Sequence, residues 1–188
     1  IALTVPALAA DLRIGLQDDP DVLDPHRART FVGRIVLSSM CEKLFDINDK
    51  LEIQPQLAKE WNWSEDGKTL HIKLRDDGKF HDGTAITAAD VKANLERAKT
   101  LPGSLRKSEV AAIDTIEVVD DTSLDIHVTK HDAALLTQLS DRAGMILSPK
   151  AFTDGDFTKN PICSGPYKFS SRVQNDRIVL EKFADYWD

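Results

Sequence analysis

Between Ala58 and Asp90 the chain reads AKEWNWSEDGKTLHIKLRDDGKFHDGTAITAAD, short runs cut by Ser64-Glu65-Asp66-Gly67, Asp76-Asp77-Gly78 and Asp82-Gly83. That punctuation excludes a long helix, because Asp-Gly steps favour turns and each run is long enough for one strand only. In Thr69 to Arg75, the residues Leu70, Ile72 and Leu74 face one way while Thr69, His71, Lys73 and Arg75 face the other. Such alternation belongs to an antiparallel sheet with one wet face. The stretch is predicted as a β-meander of KEWNW, TLHIKLR and KFH, with His71 on the solvated side. Thr87-Ala88-Ala89-Asp90 is a capping box in its Asp form, in which the Thr87 hydroxyl accepts from the Asp90 amide and the acid reaches back to the cap. A helix starts there, buries Val91, Leu95 and Ala98, and ends before Leu101-Pro102-Gly103.

The flanks follow the same grammar. Leu12, Ile14 and Leu16 alternate with polar residues, predicting a first strand from Asp11 to Gln17 that stops at Asp18-Asp19-Pro20. A loop through LDPHRART leads to a helix from about Thr30 to Lys43, in which Val32, Ile35, Val36 and Met40 recur at helical spacing, with Leu44 just beyond. After the capped helix come the hairpin TIEVV and SLDIHV, a helix from about Ala133 to Arg142 closed by Gly144 and Ser148-Pro149, and the hairpin YKFSSR and RIVLEKF. The opening IALTVPALAA is apolar and ends in Ala7-Leu8-Ala9, the small-x-small pattern before a signal-peptidase cut. Residues 1–10 are expected to be a signal-peptide remnant, with a mature start at Ala10 or Asp11 and a basic segment upstream of Ile1.

Charge and residue types exclude several functions. With 24 basic and 31 acidic side chains the formal charge is −7, and no window gathers cations as a nucleic-acid face would. Past the opening residues nothing approaches the roughly 18 apolar residues of a membrane span. His26, His81, His127 and His131 fit no metal-ligand spacing, and there is no phosphate loop, nucleophile elbow or dinucleotide fingerprint; neither metal nor cofactor is expected. His81 and Asp82 are neighbours in extended backbone and point to opposite faces, so they are expected to be a turn and a sheet-edge cover, not a dyad. Cys41 and Cys163, the two cysteines, either pair in an exported protein or remain buried thiols.

PQLAKEW at 55–61, SEDGKTLHIKLRDDGKFHDGTAITAADV at 64–91, and CSGPYKF with DRIVLEKFADYW at 163–187 together resemble the extracellular solute-binding proteins of the peptide/nickel type that serve ABC importers. LDPH at 23–26 takes its place in the same order. The resemblance implies an α/β fold: a first lobe of the type II periplasmic binding protein kind with a β-rich subdomain, the second lobe missing. On that reading residues 11–57 begin the first lobe, 58–170 form the β-rich subdomain with its helices, and 171–188 return toward the first lobe. FHDGTAITAADV would be scaffold. Where the family usually has Gly-Thr-Gly-Pro-Tyr, this chain has Cys163-Ser164-Gly165-Pro166-Tyr167; the resemblance offers no partner for a cysteine at a glycine position, so unpaired thiols are the expectation.

The function implied is periplasmic capture of a peptide or peptide-like solute for delivery to a membrane permease, without chemistry. Relatives also take glutathione, opines, nickel chelates and some sugars, and the sequence does not choose among them. Aligning LDPH places Arg29, Thr30 and Phe31 in the cleft of the first lobe. Arg29 could meet a carboxylate with a bidentate fork, and an extended ligand could pair with the backbone there; alternatively Phe31 is the first core residue of its helix and Arg29 a solvated charge. Ser164 and Gly165 are weaker candidates. The competing readings are an exported hydrolase using Asp24 or His81, and a structural or chaperone-like surface protein.

Overall fold

A computed structural model describes residues 11–154 and 156–188. The signal-peptide reading of residues 1–10 falls outside the described residues.

The punctuated stretch builds the centre of the molecule. Strand β3 (Ala58–Trp63) pairs with β4 (Thr69–Leu74), and Gly67 in the turn between them has φ 67°. The next neighbour of β4 is not KFH. It is β6 (Ser123–Val128), which carries β5 (Ile113–Asp120) on its other side, giving a four-stranded antiparallel sheet ordered β3-β4-β6-β5. KFH makes only an isolated bridge, Lys79 to Ala85, because Gly83 turns the chain back at φ 84° and Phe80 drops into the core at 1% exposure. Leu70, Ile72 and Leu74 are buried as the alternation requires, and His71 on the outer face meets Asp125 across the ladder at 2.8 Å.

The capping box is formed: Thr87 Oγ1 accepts from the Asp90 amide, and Asp90 Oδ2 accepts from the Thr87 amide at 2.8 Å. Helix α2 (Ala88–Thr100) then lays Val91, Leu95 and Ala98 on the sheet. Helix α1 (Phe31–Met40) is shorter than expected, since Cys41 is already extended. It leads to a small hairpin, β1 (Phe45–Ile47) and β2 (Ile53–Pro55), that periodicity over three residues does not reveal.

Three further expectations are corrected. Residues 11–16 form no strand, and Leu12 and Ile14 stand 81% and 68% exposed, because alternation makes a strand only where a neighbour supplies the ladder. The helix expected over 133–142 shrinks to α3 (Leu135–Gln138) and a 3-10 turn at Arg142–Gly144, since the chain folds back so tightly that a Cβ on Gly144 would lie 1.8 Å from the Leu139 carbonyl oxygen. Finally, Cys41 and Cys163 are joined as a disulfide. The two side chains are buried in one cluster at the C-terminal end of α1, a proximity of residues 122 positions apart that no local pattern encodes.

Two apolar clusters result. One lies between the four-stranded sheet and α2; the other surrounds α1 with Leu23, Met145, Leu147, Phe157 and the disulfide. The final hairpin, β7 (Tyr167–Val173) and β8 (Arg177–Lys182), packs Phe169, Ile178 and Leu180 on the second cluster. Beyond it the chain returns toward the first: the Phe183 amide donates to the Pro166 carbonyl, and the Tyr186 hydroxyl donates to Glu42 at 2.7 Å.

Candidate functional site

The loop from Asp21 to Thr30 is held from beneath by charge. Asp24, fully buried, receives both terminal nitrogens of Arg97 on α2, at 3.0 and 2.7 Å, and the His26 amide at 3.0 Å. Burial by itself would raise the Asp24 carboxyl; the bidentate Arg97 guanidinium outweighs it, and the group is held below the usual carboxylate range. Arg97 also donates to His26 Nδ1 at 2.8 Å. Burial, then the adjacent Arg97 charge, pushes His26 down to about 3, so the imidazole is neutral with its proton on Nε2. Asp24, a candidate for hydrolysis, is thus occupied as a structural anion.

The tip of the loop is braced separately. Asp21 accepts from the Arg29 amide at 3.0 Å and from the Thr30 hydroxyl at 3.1 Å. Thr30 Oγ1 in turn caps α1 by accepting from the Gly33 amide at 3.0 Å, and a Cβ on Gly33 would press on that same oxygen. Arg29, Thr30 and Phe31 are therefore brought together on a rigid corner. Phe31 is 71% exposed, with Ile35 one turn later 37% exposed, so Phe31 is not the first core residue of its helix. The Arg29 guanidinium projects from an exposed position with no side-chain partner among the described residues, while the Thr30 hydroxyl is spent on the cap.

Ser164 and Gly165 lie at the opposite end of α1, about 13 Å away along its ten residues. Ser164 is 1% exposed and donates to the Ile146 carbonyl at 3.0 Å. The Gly165 amide donates to the Met40 carbonyl at 2.7 Å, and a Cβ there would sit 2.6 Å from that backbone. His81 belongs to this junction and does not cover a sheet edge. Its Nε2 meets the Gly165 carbonyl at 3.0 Å, its Nδ1 accepts from the Cys163 amide at 3.3 Å, and Phe183 packs edge-on against the ring. With both ring nitrogens engaged, and its pKa lowered chiefly by burial, His81 is a brace between loops.

Sequence reasoning missed the residues that shape the corner. Arg142 donates to the Ala28 carbonyl at 2.9 Å, the Leu105 amide donates to the His26 carbonyl at 2.8 Å, and Arg34 pairs with Asp141 at 2.9 Å. Only Asp21, within ten residues of its partners and just after a Pro-containing turn, carried a local signal. Among the described residues no group of three or more His, Cys, Asp or Glu side chains is placed to hold a metal, and no helix is long and apolar enough to cross a membrane.

Comparison with known proteins agrees with the fold. The profile of the bacterial extracellular solute-binding proteins, family 5 (middle region), matches residues 52–188. The chain is 33% identical over 186 residues to the glutathione-binding protein GsiB of Salmonella typhi, covering 97% of this chain and 36% of that one. Among solved structures it resembles AgaA of Agrobacterium tumefaciens R10, determined with agropinic acid, at TM-score 0.84 and 29% identity, covering 91% of this chain and 35% of that one. It also resembles NikZ of Campylobacter jejuni, determined with Ni(L-His), at TM-score 0.81 and 26% identity over 92% of this chain and 35% of NikZ. The chain thus spans about a third of the length of these relatives.

Proposed function

Because this chain belongs to the bacterial extracellular solute-binding proteins of family 5, we propose that it serves an ABC importer by capturing a peptide or peptide-like solute in the periplasm and passing it unchanged to the permease. The observation that carries this reading is the corner itself. Asp21 fixes the backbone of Arg29 and Thr30, so that a guanidinium fork and an aromatic ring are presented to the surface with only their side-chain rotamers left to order on binding. Arg29 would receive a carboxylate in a bidentate pair, and Phe31 with Ile35 would cover an apolar portion of the solute. Ser164 and Gly165 would contribute by holding the C-terminal end of α1, since both are turned inward.

The hydrolase alternative loses its candidates, because Asp24 is locked to Arg97 and both nitrogens of His81 are hydrogen-bonded to backbone. Native mass spectrometry of the full-length protein, purified without refolding, tests the proposal. A small solute that co-purifies and leaves on denaturation supports it; release of a cleaved product from added peptide would replace it with an enzyme.

A further inference from the structure

Resting on the exported location in the reading above, we propose that this protein is a substrate of a dithiol-oxidising enzyme, which joins Cys41 to Cys163 while the chain is still open. Both cysteines are sealed in the folded protein, at 1% and 0% exposure, inside the apolar cluster that surrounds α1. Thiol–disulfide exchange runs through a mixed disulfide, in which a third sulfur and the carbons attached to it lie against the sulfur under attack. Leu37, Met40, Met145 and Leu147, each fully buried in the same cluster, leave the packed interior no room for such a partner. The bond is therefore made before the cluster closes, and afterwards neither oxidant nor reductant reaches it.

Closure does not wait for the bond. Backbone hydrogen bonds set both cysteines in place: the Cys41 amide donates to the Leu37 carbonyl at 2.8 Å and the Gly165 amide to the Met40 carbonyl at 2.7 Å. Cys163 and His81 are joined twice, from the Cys163 amide to His81 Nδ1 at 3.3 Å and from the His81 amide to the Cys163 carbonyl at 2.8 Å. None of these contacts needs a sulfur, so a reduced chain can assemble the same junction and bury two thiols. Domains rich in long-range contacts close in roughly milliseconds to seconds, whereas uncatalysed disulfide exchange takes roughly minutes to hours. Without catalysis the reduced form would be sealed first. In the catalysed step Cys41, which precedes its partner by 122 positions and enters first, loses its proton and attacks one sulfur of the enzyme's disulfide. A Cys41–enzyme disulfide forms, and the enzyme's other sulfur leaves as a thiolate. The Cys163 thiolate then attacks the Cys41 sulfur, which closes the Cys41–Cys163 bond and releases the enzyme as a dithiol carrying the two electrons and the two protons.

The test starts from the full-length protein, reduced and unfolded. One sample refolds with a purified bacterial thiol oxidase present; a second refolds reduced and receives the same oxidase only afterwards. A denaturing quench, maleimide capping and mass spectrometry of the peptides holding Cys41 and Cys163 follow the bond. It should form during refolding in the first sample and at least about 100-fold more slowly in the second, because only molecules that have transiently opened react. Glutathione disulfide in place of the enzyme during refolding should leave most chains reduced. Equal rates before and after folding, or a reduced chain that does not fold at all, would overturn the proposal, since nothing would then be sealed ahead of oxidation. Complete oxidation by glutathione disulfide alone would overturn it too, by removing the need for an enzyme. Failure of the location reading shows elsewhere, as two free thiols in protein isolated from cells under thiol-blocking conditions, and solute capture is read independently by co-purification.

Discussion

Four buried side chains, His26, Glu42, Cys41 and Cys163, set how this molecule responds to its surroundings, and two of them pull in opposite directions with pH. His26 has a folded-state pKa of about 3 against an ordinary 6.5, so between those values the unfolded chain binds the extra proton and stability falls as pH falls. Glu42 is the reverse. Burial raises it from 4.5 to about 7, partly opposed by the Tyr186 hydroxyl, so the folded state holds the extra proton and stability falls as pH rises through that window. Glu42→Gln should remove this loss, worth about 3 kcal/mol between pH 4.5 and 7, and chemical denaturation at the two pH values reads it directly. A pH profile unchanged by the substitution would mean that Glu42 is ionised throughout. The disulfide gives a second prediction. Thiol titration in denaturant should find no free thiol, and the double variant Cys41→Ser, Cys163→Ser should lose about 2–5 kcal/mol, because the bridge closes a loop of 122 residues. Neither effect was legible in the sequence. His26 owes its shift first to burial and then to Arg97, 71 positions away, and Cys163 finds its partner only once α1 and the loop after α4 (Pro149–Thr153) have packed together.

At the level of elements, legibility followed how local the cause was. The capping box of α2 could be read because Thr87 and Asp90 satisfy each other within one turn, and β4 because its alternation matches a half-buried sheet. KFH could not be distinguished from a strand, since nothing within it says that β6, some 40 positions on, will take the place beside β4. Residues 11–16 failed for a related reason: a strand needs a partner as well as a pattern. The candidate corner was reached through the LDPH resemblance, whereas the arginines behind it were invisible because they come from three separate segments. Two substitutions probe the elements. Thr87→Ala should cost about 1 kcal/mol by leaving the Asp90 amide uncapped. Gly165→Ala should cost about 1–3 kcal/mol, because its Cβ would fall 2.6 Å from the Met40 carbonyl, and thermal melts would rank it above substitutions at glycines with open space, such as Gly83→Asn.

For the whole molecule the decisive feature is that the proposed site is a projecting corner. Phe31 and Arg29 stand out from the surface, and two cavities, of 170 and 410 Å³, lie elsewhere, one between α2 and β5 and the other beside Lys59, Lys73 and Thr122. A small solute is bound tightly only when most of its surface is enclosed, and a convex wall encloses little. The relatives of this chain are about three times as long, so an opposing surface is what their additional length could supply. These 188 residues produced alone should therefore bind solute far more weakly than the same residues within a chain of the relatives' full length. Ligand at 100 times its dissociation constant stabilises a binding protein by about 2.7 kcal/mol, so the long chain should show a clear rise in melting midpoint while the short one shows almost none. The short chain should also associate in solution, because Leu12 and Ile14 and, on the last hairpin, Val173 and Val179 expose apolar surface that no described residue covers. Analytical ultracentrifugation and calorimetry with the co-purified solute check the two halves of the prediction. Equal affinity in the two chains would place the entire recognition surface on the Asp21–Ile35 corner and its arginines, and a second wall would then be unnecessary for capture.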